Sequence, residues 1–285
     1  MNEQNLEYLK KSLDYLGFGN RLNDLLESAI RRETTKFSLG ISQRYTPVEL
    51  KKDPSVGVDY VNYKLNFSKS KESDMYFLNE YEVTLRKYND PSLRQHTFDL
   101  ERDHRMTANQ AYKLLAGYAL QKEIYSKNGE AGDERSPEKI KVWFKLQQDL
   151  TDAFGRHPLK QFYPQYNFDL KETLEKYPLK KLSPLEKDGA LKQMSYGNPV
   201  QLSMNVDKRT VPVWVAANPK LKTLDVFDEK MQQISEELIF PEKAQERKAQ
   251  RESGRNATPD QSPDQQERMP WEQDPEMKNN TEISR

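Results

Sequence analysis

The chain has 285 residues, of which 35% are hydrophobic and 32% are charged, so it holds less apolar material than an average globular chain. Its 45 basic and 45 acidic residues give a formal net charge of zero, which argues against a dedicated nucleic-acid coat or membrane-surface protein, because those classes carry a basic excess. It contains no cysteine, which excludes disulfide bonds, thiolate nucleophiles and cysteine-ligated metal centres.

Two helices are predicted at the start of the chain. The first has leucines at three- and four-residue spacing, which are Leu6, Leu9, Leu13 and Leu16. Gly17 and Gly19 are predicted to end it, since glycine accepts the positive φ found at helix ends. Asn20 is predicted to cap a second helix that carries Leu22, Leu25, Leu26 and Ile30. The short connection favours an antiparallel helical hairpin.

The hydrophobic period changes to two after residue 32, which predicts half-buried strands. The alternating sets are Phe37, Leu39 and Ile41, then Val61, Tyr63, Leu65 and Phe67, then Met75, Phe77, Tyr81, Val83 and Leu85. Asn89-Asp90-Pro91 predicts a turn, and Phe98 and Leu100 follow on a partner strand. The middle of the chain is therefore predicted to be an antiparallel meander.

A strong helix is predicted to begin at Thr107, its cap, and to run to about Tyr125. A polar loop follows, and alternation from Ile140 to Leu146 predicts another strand. These elements are expected to complete the first part of the fold, with the helix packed on the sheet.

A smaller helix–hairpin unit is predicted next. Asp169 caps a short helix, and Ser183-Pro184-Leu185-Glu186 forms a capping box for a helix that ends near Gly197. Two alternating runs meet at Asp207-Lys208, which predicts a tight β-hairpin. A last helix is expected from about Asp228 to Leu238.

The chain changes character from Pro241 onward, where aliphatic residues almost disappear, so the tail is predicted to be disordered. Its expected docking positions are Lys243, Arg247, Lys248, Arg251 and Trp271. The predicted fold class is α+β. It comprises an N-terminal α+β domain over residues 1–165, a helix–hairpin domain over 166–240 and the disordered C-terminal tail over 241–285.

The N-terminal sequence indicates where the protein resides. Met1-Asn2-Glu3-Gln4-Asn5 lacks the basic start and apolar core of a secretory signal. No stretch approaches the roughly 18 apolar residues that a membrane span needs. We therefore expect a cytoplasmic protein without a membrane partner.

Few residues carry a recognisable chemistry. The three histidines His96, His104 and His157 lack metal-ligand spacing, so we interpret them as solvated or hydrogen-bonded. The serine-elbow pattern, the phosphate-binding loop and the dinucleotide fingerprint are all absent from the sequence. No catalytic residue and no cofactor are predicted.

One acidic cluster and one basic region remain as candidate sites. Alternation along a strand would put Asp99, Glu101 and Asp103 on one face, where they could hold magnesium or simply form the wet face of an edge strand. The segment from residue 171 to residue 222 contains ten basic and five acidic residues. Those that could contact nucleic-acid phosphates are Lys180, Lys181, Lys208, Arg209, Lys220 and Lys222.

Several motifs resemble one family. Residues 107–118 read TANQAYKLLAGY, and a second motif combines Gly197-Asn198 with ANPKLKTLDVFD at 217–228; Tyr15-Leu16-Gly17-Phe18-Gly19 and residues 77–81 (FLNEY) add to the match. Over roughly residues 1–240 the chain resembles a family of uncharacterised proteins carried on conjugative transposons and related mobile elements of gut bacteria. The resemblance implies a setting and no particular chemistry.

Three functional hypotheses follow. The leading one is a non-catalytic binding or adaptor protein of a mobile element, with an unidentified protein partner. The second is a DNA-binding accessory factor for transfer or maintenance of the element. The third is a metal-dependent enzyme that uses the acidic cluster.

Overall fold

The computed structural model describes residues 2–51, 53–125, 138–153, 156–207 and 209–242. Across these residues the protein has an α+β fold with six helices and three antiparallel sheets, as predicted for its class. Residues 1–241 belong to one compact unit. No helix in the described ranges is long and apolar enough to cross a membrane.

The helices and sheets alternate along the chain. The helices are α1 (Glu3–Tyr15), α2 (Asn23–Arg31), α3 (Ala108–Ala116), α4 (Leu170–Glu175), α5 (Pro184–Ser195) and α6 (Glu236–Ile239). The first sheet has the order β1 (Lys36–Tyr45), β2 (Asp59–Lys69), β3 (Tyr76–Arg86), β4 (Leu93–Asp99). The second sheet contains β5 (Leu120–Tyr125), β6 (Lys139–Leu146) and β7 (Leu159–Phe162), and the third contains β8 (Val200–Val206), β9 (Arg209–Asn218) and β10 (Thr223–Phe227).

The first sheet is the predicted meander, and alternation gives it one buried and one solvent-facing side. Its buried side includes Leu39, Val61, Tyr63, Leu65, Tyr81, Val83, Leu85 and Phe98. One detail of the prediction is wrong, because a register shift between Asn66 and Phe67 changes which β3 residues face inward. As a result Tyr76 is buried while Phe77 is 43% exposed.

The helical hairpin covers the buried side of this sheet. Its predicted leucines are buried on α1, and Gly17 and Gly19 have φ values of 86° and 67°, which confirms them as the end of that helix. Asn20 is not the cap of α2, which begins at Asn23 with Leu22 at the preceding position.

The helix predicted from Thr107 to Tyr125 is about half as long in the structure, where it spans Ala108–Ala116. Thr107 and Gln110 form a capping box, but α3 ends at Gly117, whose φ of 108° is left-handed. The following residues form β5 and pair with β6, with Leu120 opposite Phe144 and Ile124 opposite Ile140. Leu120 and Ile124 are four residues apart, a spacing that fits a helix and a strand equally well. Hydrophobic spacing therefore predicted a helix where the structure has a strand.

Two buried tyrosines attach α3 to the first sheet. The Tyr63 hydroxyl donates to the Ala108 carbonyl at 2.9 Å, and the Tyr81 hydroxyl donates to the Met106 carbonyl at 2.6 Å. The ring of Phe18 lies edge-on to both tyrosine rings, at centroid distances of 5.3 and 5.5 Å. The entry to α3 is thereby fixed at one place on the sheet.

The second half of the chain forms its own hydrophobic cluster around the third sheet. Met204, Val213, Val215 and Val226 are buried there, together with Trp143 and Phe162 of the second sheet. The predicted hairpin is confirmed, with Val206 opposite Arg209. The division into domains at residue 165 stays a prediction.

The predicted helix from Asp228 to Leu238 is wrong over most of its length. The Asp228 side chain accepts hydrogen bonds from the backbone of Lys230 and Gln232, at 2.9 and 2.8 Å, so it stabilises a turn instead. Only α6, one turn long, is helical in this segment.

We expect Tyr81→Phe to lower the free energy of unfolding by about 1–3 kcal/mol, because it leaves the buried Met106 carbonyl without its donor. Urea denaturation of the full chain measures this difference. Tyr15→Phe is the matched control, since Tyr15 is 67% exposed. Equal losses in both variants would show that the buried hydroxyl does not hold α3.

Candidate binding cleft

The predicted basic residues do not form one surface. Lys180 and Lys181 lie beside β8, where the Lys180 backbone N–H bonds to Ser203, and Arg209 begins β9. Lys220 and Lys222 lie at the other end of β9, after Asn218. Because β9 has ten residues, Arg209 is separated from Lys220 and Lys222 by roughly 30 Å.

The two lysines at the far end also have partners. Lys220 makes an ion pair with Asp149 at 2.9 Å, and the ammonium of Lys222 lies 4.6 Å from the centre of the Tyr166 ring. Lys208 and the predicted tail positions Lys243, Arg247, Lys248, Arg251 and Trp271 lie outside the described residues.

The acidic cluster does not sit on one strand face, because β4 ends at Asp99 and the chain turns. The Asp99 carboxyl accepts the backbone N–H groups of Glu101 and Arg102, and the buried Asp103 carboxyl accepts from the Asp99 backbone and the Arg102 guanidinium. Their oxygens thus stabilise the turn. Among the described residues, no group of three or more histidines or acids is arranged to hold a metal ion.

His96 is buried, so the expectation of a solvated ring is wrong for it. Its ring packs edge-on against Phe98 with 4.6 Å between centroids, and both ring nitrogens are buried. Burial lowers the pKa of His96 from the usual 6.5 to about 4, although Asp103 and the His157 backbone favour protonation.

We expect His96→Leu to reduce the acid sensitivity of the protein. Because the folded-state pKa is depressed, the cost of charging His96 is absent above about pH 6.5, grows as the pH falls, and is complete below about pH 4. Urea denaturation across this range should therefore show a smaller loss of stability in His96→Leu. His157→Gln is the control, and a wild-type pH profile in His96→Leu would contradict the assignment.

A cleft of about 300 Å³ is lined by carboxyl, lysine and tyrosine side chains. It lies between the segment that follows β1, one side of α3, and Gly197-Asn198-Pro199. We call it the tyrosine cleft and define it by Tyr45, Glu49, Asp59, Tyr112, Lys113 and Tyr118. The first sheet and α3 position four of these six residues. Glu49 comes from the short 3-10 turn Val48–Leu50, and Tyr118 lies in the connection between α3 and β5.

Asp59 organises the wall of the cleft. It is 1% exposed, and its carboxyl accepts the Tyr88 backbone N–H at 2.9 Å and the Tyr112 hydroxyl at 3.0 Å. The Tyr112 ring stacks on Tyr45 with 4.1 Å between centroids. Burial, and then the Asp59 carboxyl, raise the pKa of Tyr112, so its hydroxyl remains a neutral donor.

Glu49 is the least satisfied group in the cleft. Its Oε2 atom is buried and has no hydrogen-bond partner among the described residues, while Oε1 lies 3.5 Å from the Tyr88 hydroxyl. Burial raises the pKa of Glu49, while a hydrogen bond from its own backbone and then the charge of Lys87 oppose that shift. One carboxyl oxygen of Glu49 is thus covered by other atoms and lacks a side-chain donor among the described residues.

Three lysines border the cleft. The Lys113 ammonium donates to the Tyr196 carbonyl at 2.9 Å, and burial lowers its pKa. Lys51 and Lys87 also line the cleft, and neither makes an ion pair with a described residue. The rim is consequently positive, whereas the interior offers carboxyl groups and tyrosines.

Two of the motifs quoted for the family resemblance meet at this cleft. The helix motif supplies Tyr112 and Tyr118, and the second motif supplies Gly197-Asn198. Gly197 has a φ of 74°, and a Cβ there would lie 3.2 Å from the Ala119 carbonyl oxygen, so close approach of the two segments requires glycine. Sequence reasoning missed Glu49 and Asp59. The one signal was for Asp59, an acid two residues before the alternating run that begins at Val61.

Comparisons of the chain with protein-family models, curated proteins and solved structures find no match. The resemblance to proteins of mobile elements therefore stays a prediction.

We expect Asp59→Asn to lower the free energy of unfolding by about 1–3 kcal/mol, since an amide supplies only one acceptor oxygen to the two donors that meet there. Urea denaturation tests this, with the exposed Asp14→Asn as the control. If both variants were as stable as the wild type, Asp59 would not organise the cleft.

Proposed function

We propose that this protein is a non-catalytic binding or adaptor protein of a mobile element, and that the tyrosine cleft binds a peptide segment of a protein partner. The observation that carries the proposal is the buried Oε2 atom of Glu49, which has no donor among the described residues. An unsatisfied buried acceptor costs roughly 1–3 kcal/mol. A ligand N–H that displaces the atoms covering Oε2 and bonds to it would recover part of that energy.

The remaining groups of the cleft define what else the ligand carries. The Tyr118 hydroxyl makes no hydrogen bond to a described residue and lines the cleft. Lys51 and Lys87 stand at the rim without ion-pair partners. A peptide matches this arrangement, because its backbone supplies both donors and acceptors and an acidic side chain or terminal carboxylate suits the lysines. The volume of about 300 Å³ lies at the small end of ligand sites.

The tyrosines support binding rather than catalysis. Burial raises the pKa of Tyr45, Tyr112 and Tyr118, so their hydroxyls stay protonated at neutral pH and act as hydrogen-bond donors rather than nucleophiles. Both carboxyl oxygens of Asp59 already accept protein donors. Rigid, pre-paired walls of this kind are typical of a site that recognises without reacting.

The two alternative functions remain proposals, with less support at the residues expected to carry them. Asp99 and Asp103 use their carboxyl oxygens to stabilise a turn. The described basic residues Arg209 and Lys222 lie at and beyond opposite ends of β9.

Selection from a random-peptide display library on the wild-type full chain tests the proposal. We expect enriched peptides whose affinity falls roughly five- to tenfold on Glu49→Gln, because a hydrogen bond to a charged acceptor is worth about 1 to 1.5 kcal/mol more than one to the neutral amide oxygen that glutamine retains. Tyr118→Phe should also weaken them. Glutamine keeps the size of the side chain and removes a buried charge, so this variant should fold.

Glu72→Gln provides the matched control, since Glu72 is exposed and distant in sequence from the cleft. Its affinity for the selected peptides should equal that of the wild type. Peptides that bind wild type and Glu49→Gln equally well, or a selection without enrichment, would refute the proposal.

A further inference from the structure

The solvent-facing side of the first sheet carries a row of three residues that the sequence does not bring together. Arg44 on β1 lies opposite Tyr60 on β2, and Tyr60 lies opposite Arg86 on β3. The two guanidinium groups approach the Tyr60 ring to 5.6 and 5.2 Å from its centre. Tyr60 is 38% exposed, and both arginines are exposed.

The charges of this row are uncompensated. Neither Arg44 nor Arg86 makes an ion pair with a described residue, whereas Lys64 on the same side of the sheet pairs with Glu82 at 2.9 Å. Two strand spacings separate the backbones of the two arginines by roughly 10 Å. Two like charges held this close, beside one aromatic ring, form a local site for anionic groups.

A groove of about 780 Å³ continues from this row. Tyr60, Arg86, Lys87 and Tyr88 line it. The one acid in its lining, Asp90, already accepts hydrogen bonds from the Arg94 guanidinium at 3.1 Å and the Ser92 hydroxyl at 2.6 Å. The groove therefore presents basic and aromatic groups without a free carboxylate of its own.

Two contacts position Tyr88 as a wall of this groove. Its backbone N–H is bonded to Asp59, and its ring lies against the backbone of Gly57. A Cβ at Gly57 would lie 2.8 Å from the Tyr88 ring, so a glycine is required for this contact. Tyr60 and Tyr88 thus offer two aromatic side chains on one groove.

We infer that this row and groove bind single-stranded nucleic acid, with phosphates on Arg44, Arg86 and Lys87 and bases against Tyr60 and Tyr88. Basic grooves that also carry aromatic rings suit single strands, whose bases are free to stack, better than duplexes, whose bases are enclosed. An acidic peptide would satisfy the arginines but would leave the rings without planar partners. A net charge of zero is compatible with the inference, because the basic excess is local.

The surface differs from the basic residues predicted on sequence grounds and does not depend on a ligand in the tyrosine cleft. Lys87 lines both places, so the test relies on Arg44 and Arg86, which do not line the cleft. A failure of the peptide selection and a failure of nucleic-acid binding are therefore separate results.

Fluorescence anisotropy with a labelled oligothymidylate strand, alone and annealed to its complement, tests the inference on the full chain. We expect the single strand to bind more tightly than the duplex. In Arg44→Gln/Arg86→Gln, affinity should fall at least about tenfold and the slope of log affinity against log salt should shrink by about 1.4, or 0.7 for each lost phosphate contact. Tyr60→Leu should weaken binding and keep the wild-type salt slope.

Lys64→Gln is the control on the same side of the sheet, since Lys64 is already paired with Glu82, and it should bind as the wild type does. The inference is overturned by any of three results: no binding of the single strand at about 50 mM salt, equal affinity for the duplex, or wild-type affinity in the double arginine variant.

Discussion

The architecture depends on two buried hydroxyl groups that bind the backbone at the start of α3. Tyr63 and Tyr81 project from neighbouring strands and satisfy the carbonyls of Ala108 and Met106 inside the core, where an unpaired carbonyl would be costly. Because these bonds fix where α3 begins, they also fix Tyr112 on its second turn, and Tyr118 follows directly after the helix end at Gly117. The cleft is therefore built by the same contacts that hold the core together.

Nearly all strands could be predicted because each has one buried side, so that apolar and polar residues alternate along its sequence. The period of two identified most strands of regular ladders, β5 excepted. It misassigned the inward side of β3 beyond the bulge at which Asn66 pairs with Glu80 and Phe67 pairs with Leu78. The helix end at Gly117 was missed because the apolar residues beyond it satisfy both periods. In both cases the structure departs from the prediction at one change of backbone conformation, a bulge or a glycine with positive φ, which hydrophobic spacing does not show.

Sites were much harder to predict than strands, because they depend on pairing between distant segments. The cleft combines Glu49, Asp59, Tyr112 and Asn198, which have no common motif. Arg44 and Arg86 are neighbours only through the register of β2, whereas Arg209 and Lys222 are closer in sequence and lie at opposite ends of β9. A local count of charge therefore groups residues that the fold separates.

The position of Tyr88 has a thermodynamic consequence. One side of this residue faces the groove, while its N–H and hydroxyl contact Asp59 and Glu49 of the cleft. A ligand in the groove or in the tyrosine cleft that displaces the Tyr88 ring would therefore change the binding free energy at the other site. Because linkage is reciprocal, each ligand would change the affinity of the other by the same factor.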